Sequence, residues 1–182
     1  LHESARYFLF HCDTEEIRLA LQRRDAEFQN GAGRLRLLLE KDGTFQIKAQ
    51  QCAIPASLEL PCDPPTEKPG HSIRLSSQRI DSKSPWYAHK TSNREMYDNA
   101  YAQAVKDGFY DIIFTNENGL VTEGCITNIF LYKNGVYSTP PIEDGLLPGV
   151  MRSHLLDQNR AAINEQSLTV ADLQEAEAIF LC

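Results

Sequence analysis

The segment Tyr87-Ala88-His89-Lys90-Thr91-Ser92-Asn93-Arg94 sets a lysine directly ahead of Asn93 to Lys106, a run expected to be a helix. Three more segments follow: Leu120-Val121-Thr122-Glu123-Gly124, then Thr127-Asn128-Ile129-Phe130, then Leu146-Leu147-Pro148-Gly149-Val150-Met151-Arg152. Singly, each has a plain structural explanation. A lysine before a helix is usually a solvated charge, and a glutamate after a strand is usually exposed. Pro-Gly before a helix is usually just the helix start. Only the four together, in this order and spacing, point to one architecture.

Around these segments the second half of the chain is regular. Asp111 to Thr115 is expected as a buried strand that ends in the turn Asn116-Glu117-Asn118-Gly119. Leu120 to Thr122 and Asn128 to Tyr132 are expected strands, and Asn134-Gly135 is a hairpin turn into Val136 to Ser138. Pro148-Gly149 opens a helix reaching Gln158. A strand near Gln166, a short helix from Val170 to Glu175 and a strand from Ala178 to Leu181 follow.

In the first half, Asp13-Thr14-Glu15-Glu16 predicts a helix start with a capping aspartate and an acidic first turn. Asn30-Gly31-Ala32-Gly33 is expected to stop that helix. Arg34 to Leu39, a Lys41-Asp42-Gly43 turn and Thr44 to Ala49 form an expected hairpin, because Asp-Gly tolerates the positive φ of a tight turn. Five of the nine prolines lie between Pro55 and Pro69, so that segment is expected as a loop or sheet edge. A short strand from Ser72 to Leu75 comes next. The stretch Ser82 to Pro85 is the expected domain boundary, giving a smaller N-terminal domain of residues 1–83 and a C-terminal domain of residues 84–182. Hairpins mixed with helices indicate an α+β fold rather than a doubly wound parallel sheet.

Composition narrows the function. The net charge of −7, with no basic stripe, argues against a nucleic-acid surface. No apolar run approaches the roughly 20 residues that span a bilayer. The five cysteines (Cys12, Cys52, Cys62, Cys125, Cys182) are odd in number and lack C-x-x-C spacing. That argues against a disulfide framework and against a zinc knuckle, so no metal site is expected and the thiols are expected to be reduced and cytoplasmic. The chain opens on Leu1 without a methionine, inside an expected helix, so residues are expected to precede it.

The four segments resemble the fold-type IV pyridoxal-phosphate enzymes, or class IV aminotransferases. That family includes branched-chain aminotransferases, D-amino-acid aminotransferases and 4-amino-4-deoxychorismate lyases. The resemblance covers nearly the whole chain and is most specific from Tyr87 to Arg152. It implies a two-domain α+β architecture, pyridoxal 5'-phosphate bound between the domains, and a homodimer. It implies that Lys90 carries the cofactor through its amine, which must be neutral to attack an aldehyde. It implies that Glu123 faces the pyridine nitrogen and keeps it protonated, so that the ring accepts electrons. The amides of Val150 and Met151 are implied to hold the phosphate at a positive helix end, with Gly149 allowing close backbone approach. Arg36, on the first hairpin, is implied to face the substrate, where a guanidinium can grip a carboxylate. An exposed strand arginine is the other reading of Arg36, because Arg34 and Arg36 share a strand face. His89, adjacent to Lys90 and taken as part of a strand, is expected to point away from the cofactor. Cys125 is expected to be a small packed residue.

The lysine segment also bears on the subfamily. Branched-chain aminotransferases usually carry Lys-x-Gly-Gly-Asn-Tyr here. Lys90-Thr91-Ser92-Asn93-Arg94-Glu95 has neither the glycine pair nor the tyrosine. Its His-Lys-Thr-x-x-Arg form looks like the aminodeoxychorismate lyases, especially those fused behind an aminodeoxychorismate synthase subunit. The implied reaction converts a small molecule, 4-amino-4-deoxychorismate, to 4-aminobenzoate and pyruvate, a step toward folate. A class IV aminotransferase acting on branched-chain or D-amino acids is one alternative, and a catalytically degenerate docking module is another. Family members carry a phosphate-gripping arginine before the point matching Leu1 and a cofactor loop after Ala178 to Cys182, so both ends are expected to continue.

Overall fold

The computed structural model describes residues 1–28, 32–52, 59–61, 70–159 and 162–182. The chain divides into two units, Leu1–Ser57 and Leu58–Cys182.

The first unit holds α1 (His2–Tyr7), α2 (Thr14–Asp25), β1 (Ala32–Leu39) and β2 (Phe45–Cys52). Asp13 caps α2 as its sequence predicts: Oδ1 accepts the N–H groups of Glu15 and Glu16 at 3.0 and 2.9 Å. Glu15 and Glu16 in the first turn and Arg23 and Arg24 in the last complement the helix dipole. The helix ends at Asp25, ahead of the expected stop. Asn30 and Gly31 lie outside the described residues, while Ala32 and Gly33 open β1. β1 and β2 pair antiparallel, with Leu39 opposite Phe45. Their turn is closed by Asp42, which accepts from the Thr44 amide and hydroxyl at 2.9 and 2.7 Å, and by Gly43 at φ +95°. The proline-rich segment lies outside the described residues apart from 59–61.

The second unit contains β3 (Ile73–Ile80), α3 (Pro85–Ala88), α4 (Glu95–Lys106), β4 (Asp111–Asn116), β5 (Leu120–Gly124), β6 (Ile129–Lys133), β7 (Val136–Thr139), a 3-10 turn (Ile142–Asp144), α5 (Val150–Gln158), β8 (Ile163–Glu165), β9 (Leu168–Thr169), α6 (Val170–Glu175) and β10 (Ala178–Leu181). One sheet runs β3-β4-β5-β9 and the other β10-β6-β7-β8. The pairs β3/β4 and β7/β8 are parallel and the other pairs in these sheets antiparallel, so the fold is α+β as the sequence indicates. The boundary expected between Lys83 and Ser84 differs from the observed division. β3 precedes that point, yet it bonds in register to β4, Ile73 with Asp111 and Leu75 with Ile113, and so belongs to the second unit.

Strand alternation builds three cores. Ile112 and Phe114 of β4 pack against Tyr97 and Ala104 of α4. Ile113, between them, faces the other way and meets Ile129 and Leu131 of β6, so the two sheets share an inner layer. Phe130 and Tyr132 of β6 then face Leu155 of α5. The result is a stack of α4, sheet, sheet and α5. β4, covered on both sides, is buried along its whole length, its apolar centre Ile112 to Phe114 flanked by the buried polar residues Asp111, Thr115 and Asn116. Burying a side chain such as Phe114 or Phe130 stabilises the fold by about 1.5–3 kcal/mol.

Candidate active site

Lys90, Glu123, Gly149, Val150 and Met151, singled out from the sequence, all line one cleft of about 160 Å³ in the second unit. The loop before α4, the end of β5, the turn into β6 and the start of α5 converge there. Arg36 belongs to the first unit, exposed on β1 opposite Lys48, while every residue lining this cleft comes from the second.

Glu123, the penultimate residue of β5, is only 7% exposed. Its Oε1 accepts the Tyr97 hydroxyl at 3.0 Å. Its Oε2 accepts the Leu147 amide at 3.1 Å and the Asn128 side-chain amide at 3.4 Å. Burial pushes the Glu123 carboxyl up to about 8, against the opposing pull of the Leu147 amide, the Tyr97 hydroxyl and the charges of Arg94 and Lys90. This is a carboxylate poised near neutral pH and held by neutral donors.

The turn from β5 to β6 is fixed by Asp111, the fully buried first residue of β4. Asp111 Oδ1 accepts the amides of Ile112 and Cys125 at 2.8 and 2.9 Å. Its Oδ2 accepts the Thr127 hydroxyl at 2.8 Å and the Ile126 amide at 3.4 Å. Gly124 is required because a Cβ there would run into Asp111 Oδ2 and Thr127 Oγ1. Arg94, the N-cap residue of α4, ties the same turn to the helix. It donates to the Cys125 carbonyl at 2.6 Å and to Asp98 at 2.8 Å, and its guanidinium lies over the Tyr97 ring.

α5 begins at Gly149 without a side-chain cap. Its first i→i−4 bond runs from the Ser153 amide to the Gly149 carbonyl at 2.9 Å, so the amides of Val150, Met151 and Arg152 lie ahead of the helical ladder. Such an end favours an anion. The close approach at Gly149 is made by Asn128, whose Oδ1 occupies the space a Cβ would fill. Asn128 Nδ2 also donates to the Leu147 carbonyl at 3.0 Å, linking the α5 entry to Glu123.

His89 is among the residues that line the cleft, and it follows the helical turn Pro85–Ala88 with an extended backbone, φ −123° and ψ 134°. Cys125 is a packed residue, as expected: it is 3% exposed, and burial and Asp111 push its thiol up to about 12. Tyr97, Asn128 and Asp111 escaped assignment from sequence. An aromatic residue on an apolar helix face and an aspartate at a strand start carry no local signal of a site. Among the described residues no group of three or more His, Cys, Asp or Glu could hold a metal ion, and no helix is long and apolar enough to cross a membrane.

Over residues 1–182 the chain matches the family model described as amino-transferase class IV. It is 31% identical over 121 residues to a Schizosaccharomyces pombe protein provisionally named an aminodeoxychorismate lyase, covering 63% of this chain and 52% of that protein. It is 30% identical over 125 residues to a Thermotoga maritima protein provisionally named a branched-chain-amino-acid aminotransferase, covering 66% of this chain and 45% of that one. A crystal structure from Mesorhizobium loti, provisionally named an amino-acid aminotransferase, has a TM-score of 0.82 and 32% identity, covering 100% of this chain and 82% of that chain. The chain spans about half the length of the curated relatives it matches. With its whole length inside one family model and its fold shared with solved members, the chain belongs to the class IV aminotransferases, a family of fold-type IV enzymes that use pyridoxal phosphate.

Proposed function

We propose that the protein is a pyridoxal-phosphate-dependent lyase that converts 4-amino-4-deoxychorismate to 4-aminobenzoate and pyruvate, a cytoplasmic step toward folate. The observation that carries this reading is the meeting of Lys90, Arg94 and Glu123 in one cleft, within the His89-Lys90-Thr91-x-x-Arg94 setting that resembles the lyases.

The donor set fits the cofactor. A buried carboxylate with only neutral hydrogen-bond donors suits a protonated ring nitrogen, and the uncapped start of α5 suits a phosphate. Pyridoxal phosphate, when bound, supplies an aldehyde for an amine and a ring that draws electrons from the adjoining carbon. In this reading Glu123 would accept the pyridine N–H and so keep that nitrogen protonated. The amides of Val150 and Met151 would bind the phosphate, and Gly149 gives Asn128 its place beside them. Lys90 Nζ would hold the cofactor's aldehyde carbon and, once free, would be the base that takes the proton from the substrate carbon bearing the amine. The C–O bond to the enolpyruvyl group on the neighbouring carbon then breaks, and the proton on Lys90 Nζ is available to the methylene that becomes the methyl of pyruvate. Aromatisation of the substrate ring drives this step, leaving the protein chiefly to position the proton transfer. Arg36 as a carboxylate grip, a homodimer, and fusion or association with an aminodeoxychorismate synthase belong to the same proposal.

A second reading, an aminotransferase of branched-chain or D-amino acids, is favoured by the Thermotoga maritima relative. It would use the same Lys90 and Glu123, with Lys90 moving a proton between two carbons. Incubation of the protein with cofactor and enzymatically made aminodeoxychorismate separates the two. Formation of 4-aminobenzoate supports the lyase. Its absence, together with amino transfer to 2-oxoglutarate from an amino-acid panel, overturns it.

A further inference from the structure

We infer that Tyr97 is a positioning residue for Glu123, its buried hydroxyl donating to Oε1 so as to favour the ionised carboxylate and fix its place at the cleft. The inference rests on the reading of Glu123 as the group that faces the cofactor nitrogen.

Geometry leaves the hydroxyl little freedom. Tyr97 is 6% exposed and stands 3.0 Å from Glu123 Oε1. Its ring meets Phe114 edge-to-face at 4.8 Å and Tyr87 edge-to-face at 5.7 Å, while the Arg94 guanidinium lies 5.6 Å from its centroid. A ring wedged on three sides cannot turn its hydroxyl away. The carboxylate is held at its other oxygen by the Leu147 amide and the Asn128 side chain, so both oxygens have partners and its plane is set.

The kind of donor matters as much as its place. A cation hydrogen-bonded to Glu123 would neutralise the charge that a protonated ring nitrogen requires. A phenol stabilises the negative charge and leaves it intact. The charged and titratable groups facing Glu123 are Lys90 from the loop before α4, Arg94 at the N-cap of α4 and Tyr97 from α4, with Cys125 and Tyr87 beside Tyr97. Burial opposes ionisation of Glu123, and Tyr97 is among the groups that counter it.

The test is made on the cofactor-free protein carrying 13C-labelled glutamate carboxyls, with the Glu123 resonance identified by its loss in Glu123→Gln. Tyr97→Phe keeps the ring and deletes the hydroxyl. It is expected to raise the Glu123 midpoint by about one pH unit. A midpoint within about 0.3 unit of the parent overturns the inference. Tyr97→Leu, which also lacks the hydroxyl, supplies the same comparison should the first variant fail to fold. An unmoved midpoint in a protein that still makes 4-aminobenzoate overturns the role of Tyr97 and leaves the proposed function standing. A raised midpoint in a protein that never takes up cofactor upholds the role of Tyr97 and removes the proposed function.

Discussion

Replacing Asp111 by alanine strands four donors at once. The Ile112 amide, the Cys125 amide and the Thr127 hydroxyl lie 2.8 to 2.9 Å from the carboxylate, and the Ile126 amide lies at 3.4 Å. The long contact adds little. Hydrogen bonds to a charged acceptor contribute roughly 1.5–3 kcal/mol each, so three would sum to about 4.5–9 kcal/mol. The native carboxylate is itself desolvated, and the turn can relax or admit water, both of which reduce the net loss. We therefore expect Asp111→Ala to destabilise the second unit by about 3–5 kcal/mol. At a urea slope near 2 kcal/mol/M the midpoint falls by about 1.5–2.5 M. Trp86, the sole tryptophan, lies in this unit and lines the cleft, so its fluorescence follows the transition. Asp111→Asn keeps one acceptor oxygen for the amides and can donate to Thr127 Oγ1, and is expected to cost about 1–2 kcal/mol. An alanine variant within about 0.5 kcal/mol of the parent, or an asparagine variant worse than alanine, refutes the reasoning.

Glu123→Gln is expected to leave cofactor attached to Lys90 while turnover falls by about 10²-fold or more, because a neutral amide no longer keeps the ring nitrogen protonated. Turnover within about twofold of the parent would remove that role. The same residue sets a pH dependence in the cofactor-free protein. Its folded value of about 8 lies above the usual 4.5, so the fold retains a proton that the unfolded chain releases. This contribution to stability is present in full below about pH 4.5 and is lost as pH rises through about 8. The stability difference between the parent and Glu123→Gln should shift against the parent by a few kcal/mol over that window, measured by urea titration at each pH. A constant difference contradicts it. Gly149→Ala puts a methyl group where Asn128 Oδ1 lies and should weaken cofactor binding by about tenfold; equal affinity in a spectral titration argues against the tight fit.

Local signals made much of the second unit legible. Val170 to Glu175 and Ala178 to Leu181 appear as read, because each has its own start signal or an apolar run of strand length. β3 was only partly legible. It runs to Ile80 rather than stopping at Leu75, but Ser76, Ser77, Gln78 and Arg79 interrupt its apolar pattern, and its register against β4 shifts between Leu75 and Arg79. The division before Leu58, rather than at Lys83, follows from the pairing of β3 with β4, a tertiary contact with no local signal. The expected strand at Gln166 is two short strands, β8 and β9, on either side of a residue whose amide bonds to the Thr139 carbonyl. In the site, the residues that bear chemistry stand in recognisable segments, whereas those that orient them do not. Tyr97 lies 26 positions from Glu123, and Asp111 reaches Cys125 and Thr127 across a strand pair. Partnerships set by tertiary contact leave no spacing for a sequence pattern to register.

The central claim is that Lys90 carries the cofactor. Incubating the protein with pyridoxal phosphate, reducing it with borohydride and mapping the labelled peptide tests this most directly. Label is expected on Lys90 and none in Lys90→Ala. Label on Lys83 or Lys106, or a protein that stays unlabelled at saturating cofactor, would contradict it.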